Sequence, residues 1–539
     1  MGAAVLTPPH PAPAAAAVPH RRLITVSIML ATIMQALDTT IAIVALPHMQ
    51  GSLQSSQDQI SWVLTSYIVA TAIATPLTGW LCGRWGRRRI FLLAVVGFTL
   101  ASAMCGVAGS LSQMVGARLL QGLFGAALVP LSQAVMLDIN PKEKLGQAMA
   151  LWGAGIMIGP ILGPMIGGWL TEHAHWRWVF FINLPIGVVA FLGIARYLPE
   201  SRPAGQRLDV FGFATLSLAV GLLQLFLDRG QHLDWFNSVE IRLEAAGCVA
   251  ALAFFVAHTW TTTGTSFLNR ELLRDRNFVT GILFSFIIGM ILFATMALQP
   301  ALLQELLGYP VVDTGLLMVP RGLGTMLSMM LVGRLMTWFD ARTLMAFGFA
   351  ITAVALYQMT GMTLEMDHDL IVISGFLQGI GIGFTFIPLT AAAFGTLAPQ
   401  LRNDGTPIFA LLRNIGSSVG ISMVVSLLTE RNSRAHAELA IDLHAGNAVL
   451  QSMPAPFDAA TPIGQMMLNG LLNRQASMLA YIADFDVMMW LTLAAMPLLL
   501  LIRKPGQPAA GARPAVAVDA GHGPGRAPMD ATDQRIRVG

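Results

Sequence analysis

The run LDTTIAIVALP at residues 37–47 decides how this chain has to fold. It places one carboxylate, Asp38, in an otherwise apolar stretch that reaches from about residue 23 to residue 46. About 20 such residues carry a helix across the hydrocarbon core of a bilayer. A charge at the centre of such a span costs about 2.5–3.5 kcal/mol on insertion scales, so Asp38 is expected to be neutral, paired or wet. Burial disfavours the charged form of a carboxyl, and a neighbouring cation favours it. A group drawn both ways can exchange a proton when its access switches sides. The competing reading is a static ion pair or a hydrogen-bonded anchor.

The rest of the chain fits a membrane setting. Of its 539 residues, 55% are hydrophobic and only 11% charged, against roughly 25% charged in an average soluble domain. The mean hydropathy is +0.65. Fourteen apolar segments are long enough to span: 23–46, 59–82, 90–109, 113–137, 146–170, 178–197, 209–228, 241–260, 278–302, 313–337, 343–363, 370–395, 407–428 and 482–502. The expected fold class is an all-α polytopic membrane protein. Most segments contain Gly and many contain Pro, residues that membrane bundles tolerate.

Basic residues set the orientation. Arg21 and Arg22, the group Arg84, Arg87, Arg88 and Arg89, then Lys142 and Lys144 all fall on one side. So do Arg196, Arg202 and Arg207, then Arg270, Arg274 and Arg276, Arg334 and Arg342, and Arg503 with Lys504. The opposite loops at 48–58, 109–113 and 365–369 have no Lys or Arg. The positive-inside rule therefore puts both termini in the cytoplasm. One opposite-side segment, 429–481, is long and is expected to be a periplasmic loop. Residues 1–22 and 504–539, rich in Ala, Pro and Gly, are expected to be a disordered cytoplasmic leader and tail.

Several function classes are unsupported. No GxxxxGK[ST] phosphate loop points to ATP, and no HExxH or GxSxG stretch points to a membrane hydrolase. The net charge of +3 comes in short clusters, with no basic face for nucleic acid. Cys82, Cys105 and Cys248 have no metal or disulfide spacing. No cofactor and no metal site is expected. The 30 Met and 27 Phe are candidates to line an adaptable apolar pocket, with contact to lipid as the alternative.

The two halves also resemble each other. Gly79-Trp80-Leu81 with Arg88 matches Gly333-Arg334-Leu335 with Arg342, and Leu120-Gln121-Gly122 matches Leu377-Gln378-Gly379. Both matches have an offset of about 255 residues, as duplicated halves require. The expected organisation is a six-helix half at 23–208, two inserted helices with a linker at 209–277, and a second six-helix half at 278–503.

Four stretches carry a resemblance. LDTTIAIVALP is similar to LDxTIVNVALP, with Ile43 where Asn is usual. Residues 79–88, GWLCGRWGRR, resemble the GxLaDrxGrr loop, with Gly83 in place of the acid. Residues 118–126, RLLQGLFGA, resemble RxxQGxGaa. Residues 155–168, GIMIGPILGPMIGG, resemble the antiporter motif, and WRWVFFINLPIG at 176–187 accompanies them. Together they resemble the major facilitator superfamily, and within it the fourteen-spanner drug:proton antiporters of the EmrB/QacA kind.

The resemblance implies export of small amphipathic compounds (multidrug efflux) driven by proton antiport. A dedicated exporter of one metabolite or siderophore is the alternative. It implies proton coupling at Asp38 and Arg118, with Gln121 assisting. Arg321 and Arg413 are further cavity or substrate candidates. Gly155, Gly159, Pro160, Gly163, Pro164, Gly167 and Gly168 form a kinked, close-packing helix that seals one half against the other. Gly79, Arg84, Gly86, Arg87 and Arg88 form a cytoplasmic gating loop. With Gly83 there, these arginines need other partners, or anionic lipid. Implied partners are membrane lipids, a periplasmic adaptor of the EmrA type and an outer-membrane channel. The implied location is the inner membrane.

Overall fold

A computed structural model describes residues 19–141, 144–200, 208–262, 266–441, 457 and 461–502. Lys142, Arg202, Arg207, Arg503 and Lys504, together with most of the expected leader and all of the tail, lie outside those residues. Among the described residues there is no strand. The long helices are α1 (Arg21–Ser52), α2 (Trp62–Ala74), α3 (Leu77–Trp85), α4 (Arg87–Val107), α5 (Leu111–Ile139), α6 (Leu145–His173), α7 (Trp178–Tyr197) and α8 (Val210–Arg229). They continue as α9 (Val239–Thr261), α10 (Arg276–Leu306), α11 (Val311–Leu335), α12 (Ala341–Thr360), α13 (His368–Gly395), α14 (Arg402–Ile441) and α15 (Pro462–Leu501).

Twelve of these helices are long and apolar enough to cross a membrane. The pair α2 and α3 passes the same test when taken together, bent by 54° where Pro76 interrupts the backbone ladder. The helix α9, 23 residues or about 35 Å long, occupies the remaining predicted segment. Side-chain caps start several helices: Ser110 accepts from Gln113 N, Asp275 from Phe278 N and Thr461 from Gly464 N. The turn joining α3 to α4 needs φ = 90° at Gly86, a value a side chain would resist.

One expectation is corrected. The segment 429–481 is not a loop over most of its length. The helix α14 runs on to Ile441, and α15 begins at Pro462. The polar, Ala-rich composition that suggested a loop is compatible with helix once the chain leaves the lipid. His436 meets Asn469 at 3.1 Å and Ser477 meets Asn432 at 3.3 Å across the paired extensions.

The helices pack both within the two expected halves and between them, where α6 lies along α11. In the first half α1 packs on α6 and α7, and α5 on α2 and α4; in the second α14 packs on α10, and α13 on α11 and α12. Matched residues hold matched places. Gly79 on α3 touches the start of α14 at Asn403 and Asp404, while Gly333 on α11 touches the start of α6 at Gln147 and Ala150. Gly122 lies against the α2 backbone at Tyr67, and Gly379 against the α11 backbone at Arg321. The inserted helix α8 packs on α2 and α14, and α9 packs on α8. Asp209 ties this insertion down by accepting from the N–H of Gly212 at 2.9 Å and of Phe267 at 3.0 Å, with His258 Nε2 at 2.9 Å.

Candidate functional site

The helix α1 brings Asp38 into the middle of the first half, where it is 1% exposed. Arg118 and Gln121 are three residues apart on α5 and so share a face, and both point at it. Arg118 Nη1 donates to Asp38 Oδ2 at 2.7 Å, and Gln121 Nε2 donates to Oδ1 at 2.7 Å. Asn183 Nδ2 on α7 gives Oδ1 a second bond at 2.8 Å. The same Arg118 nitrogen donates to Gln121 Oε1 at 2.7 Å, and its Nε donates to Val63 O at 3.0 Å. Its plane lies 4.3 Å from the centre of the Tyr67 ring, a cation–π contact. Ser102 on α4 accepts from Asn183 at 3.0 Å.

Five helices thus close around one carboxylate and one guanidinium. Both charges are buried, and each is hydrogen-bonded, which is the condition under which a buried pair is tolerated. The cluster is not saturated: among the described residues Arg118 Nη2 and Asn183 Oδ1 are buried without a hydrogen-bond partner. Asn183, Ser102 and Tyr67 were not singled out from sequence. Asn183 carried a usable signal, as the one polar side chain in the run FFINLPIG.

The second half has a related cluster without an acid. Arg321 is buried and donates to Gln299 Oε1 at 2.9 Å, Thr295 Oγ1 at 2.8 Å and Leu292 O at 3.2 Å. Arg413 lies over the Phe386 ring at 5.9 Å, and Phe386 stacks on Trp152 of the first half at 6.4 Å. Neither arginine has an ion pair among the described residues, and neither joins the Asp38 cluster.

The glycine-rich face of α6 packs inside its own half. Gly155 meets Met29, Gly159 meets Ala36 and Leu37, and Gly163 and Gly167 meet Thr40 and Ile41, all on α1. Thr40 Oγ1 donates to Gly159 O at 3.1 Å. Contact with the other half comes from a different face, where Ile161 meets Gly322 and Pro164 meets Gly315 on α11. Pro160 is part-buried and Gly168 buried on the same helix.

At the basic end the loop arginines find protein partners. Arg87 pairs with Asp138 at 2.5 Å and donates to Asn403 Oδ1 at 2.7 Å. Arg88 donates to Ala195 O, and Arg89 lies 3.9 Å from Glu200. Arg84 is exposed. Arg402, on the second half, reaches the same Asp138 at 3.4 Å and donates to Leu137 O at 2.9 Å. Asp138 therefore latches the two halves together where Gly83 supplies no acid. Asp138→Asn should release this end by about 1 kcal/mol, a shift of roughly fivefold in the populations. The buried Cys82 reports it: with Cys105 and Cys248 replaced, its alkylation rate should rise by a similar factor.

Residues 28–421 match the Major Facilitator Superfamily. The chain is 35% identical to the multidrug export protein EmrB of Escherichia coli (strain K12) over 475 residues, 87% of this chain and 92% of that one. It is 35% identical to the fatty acid resistance protein FarB of Neisseria gonorrhoeae over 437 residues, 80% and 85% of the two chains. Its fold matches the human organic anion transporter MFSD10 (TETRAN) with a TM-score of 0.57 at 16% identity, covering 88% of this chain and 100% of that one. The chain belongs to the major facilitator superfamily, in its EmrB-like multidrug efflux branch. It is a multi-pass membrane transporter and not an enzyme.

Proposed function

We propose that the protein is a proton-coupled antiporter that exports small amphipathic compounds by alternating access, from the cytoplasm or the inner leaflet. It sits in the inner membrane with both termini in the cytoplasm. One observation carries the coupling: a single carboxylate, Asp38, is closed inside the first half and held by Arg118, Gln121 and Asn183. As an ion pair the cluster is neutral. A proton on Asp38 leaves Arg118 without its counter-charge, because Arg does not deprotonate. The protonated and unprotonated clusters therefore favour different arrangements of the surrounding helices, which is what differential coupling to two states requires. One charge moved through 100 mV supplies about 2.3 kcal/mol, enough for about a fiftyfold gradient of a neutral cargo.

In this orientation the Asp138 latch closes the cytoplasmic end. The uncompensated guanidiniums of Arg321 and Arg413 favour cargo with a negative or dipolar head beside its apolar body. The narrower alternative is a dedicated exporter of one metabolite or siderophore, and the likeness to the fatty acid resistance protein FarB favours an anionic, amphiphilic metabolite. The projecting ends of α14 and α15 offer a surface for a periplasmic adaptor, which would link the transporter to an outer-membrane channel.

Uptake into everted vesicles, whose outer face is the cytoplasmic one, under an imposed proton gradient tests the reading. Cationic, neutral and anionic amphiphiles should each drive proton flux, with Arg413→Ala weakening the anionic ones most. Flux for none of them sinks the antiporter reading, and flux for a single compound selects the dedicated exporter.

A further inference from the structure

Asp484 lies on α15 and is fully buried, with 0% of its surface exposed. Among the described residues neither of its carboxylate oxygens has a hydrogen-bond partner. Asp38, equally buried, receives three donors. An ionised carboxylate that is dry and unbonded is so unfavourable that the group neutralises instead. From Asp484 the chain runs as α-helix to Ala495 and as 3-10 helix from Met496 to Leu501, together about 29 Å, close to the full ~30 Å of the hydrocarbon core. Asp484 therefore sits near the membrane face opposite the basic loops.

The charged and titratable groups around it are few. Among the described residues Arg431 on α14 is the one cation whose field reaches it. Tyr481, one turn earlier on α15, feels both Asp484 and Glu305. Glu305 is exposed, in the π-helical turn Leu302–Leu306 that ends α10. No charged group from α12 acts on Asp484, although α12 packs along α15. The turn that carries Glu305 packs on α15, and Arg431 stands on the helix across the α14–α15 seam.

We propose that Asp484 is a second proton-binding site, in the second half and near the face opposite the basic loops, which holds a proton in the arrangement seen here and releases it when α14 and α15 part. In that step the carboxyl O–H bond breaks and the proton passes to water that enters between the parted helices. The electron pair stays on the carboxylate, and Arg431 supplies the counter-charge. The use of this proton for transport rests on the antiporter reading; its presence on Asp484 does not.

Infrared spectra of the full-length protein in lipid nanodiscs at neutral pH decide the matter. The wild type should show a protonated-carboxyl C=O band, sensitive to deuterium exchange, that is lost in Asp484→Asn. Asp484→Glu retains the acid and should show the band at a displaced frequency, which covers the case in which the Asn variant does not fold. Spectra of the wild type and of whichever variant folds that show no Asp484 contribution in this region overturn the proposal. Drug-driven proton flux measured on the same variants in sealed proteoliposomes separates the two readings. A band without flux sinks the antiporter and leaves the site, whereas flux without a band sinks the site and leaves the antiporter.

Discussion

Asp38→Asn should abolish substrate-driven proton flux, at least a tenfold loss, while the chain still inserts in the membrane. The carboxylate takes two hydrogen bonds at Oδ1 and one at Oδ2. An asparagine supplies one accepting oxygen and an NH2 that can only donate. Whichever way it turns, a donor faces a donor, and Arg118 is left as a buried cation without its partner. Breaking a buried pair on one side costs about 3–5 kcal/mol, so the apparent Tm in detergent should fall as well. Asp38→Glu keeps the charge and a titratable proton, and part of the flux should return. Flux undiminished in the Asn variant would remove Asp38 from the coupling step, whatever the stability change.

Gly159→Val should cost the most of any substitution on the α6 stripe. A Cβ at Gly159 falls 2.6 Å from the Ala36 carbonyl carbon and 2.8 Å from Leu37 N. Both are backbone atoms next to Asp38, so α1 cannot make room without moving the acid. Over-packing of this kind costs about 1–3 kcal/mol, occasionally more, and here the displacement is transmitted into the hydrogen bonds of the site. Transport should drop at least tenfold. Gly155→Ala is the contrasting case: the atom in its way is the terminal methyl of Met29, the movable end of a flexible side chain, and most activity should survive. Size-exclusion profiles after graded heating, together with efflux rates, distinguish the two. Equal tolerance at both positions would mean that α1 and α6 are not held at this separation.

The sequence by itself determined what depends on the run of the chain through lipid. Span length follows from about 1.5 Å of rise per residue against a core about 30 Å thick, so fourteen apolar segments could be located and each falls on helix. The superfamily was legible from the order of its motifs. The glycine pairs matched in sequence, Gly79 with Gly333 and Gly122 with Gly379, each lie against a neighbouring helix in the structure. An acid in an apolar run announced itself at Asp38. Asp484 gave a weaker signal, since it lies at the edge of the segment 482–502, where a charge is ordinary.

Tertiary structure alone decided which groups meet. Nothing in a period of 3.6 says that Asn183 turns toward residue 38, that Arg402 crosses to Asp138, or that the glycines of α6 face α1 while Ile161 and Pro164 face α11. Those contacts join helices far apart in the chain, and they depend on the crossing and rotation of whole helices. The segment 429–481 was misread for a related reason. Hydropathy locates helix only where lipid demands it, and α14 and α15 continue beyond that demand, because a helix satisfies its own backbone hydrogen bonds wherever its side chains happen to be solvated.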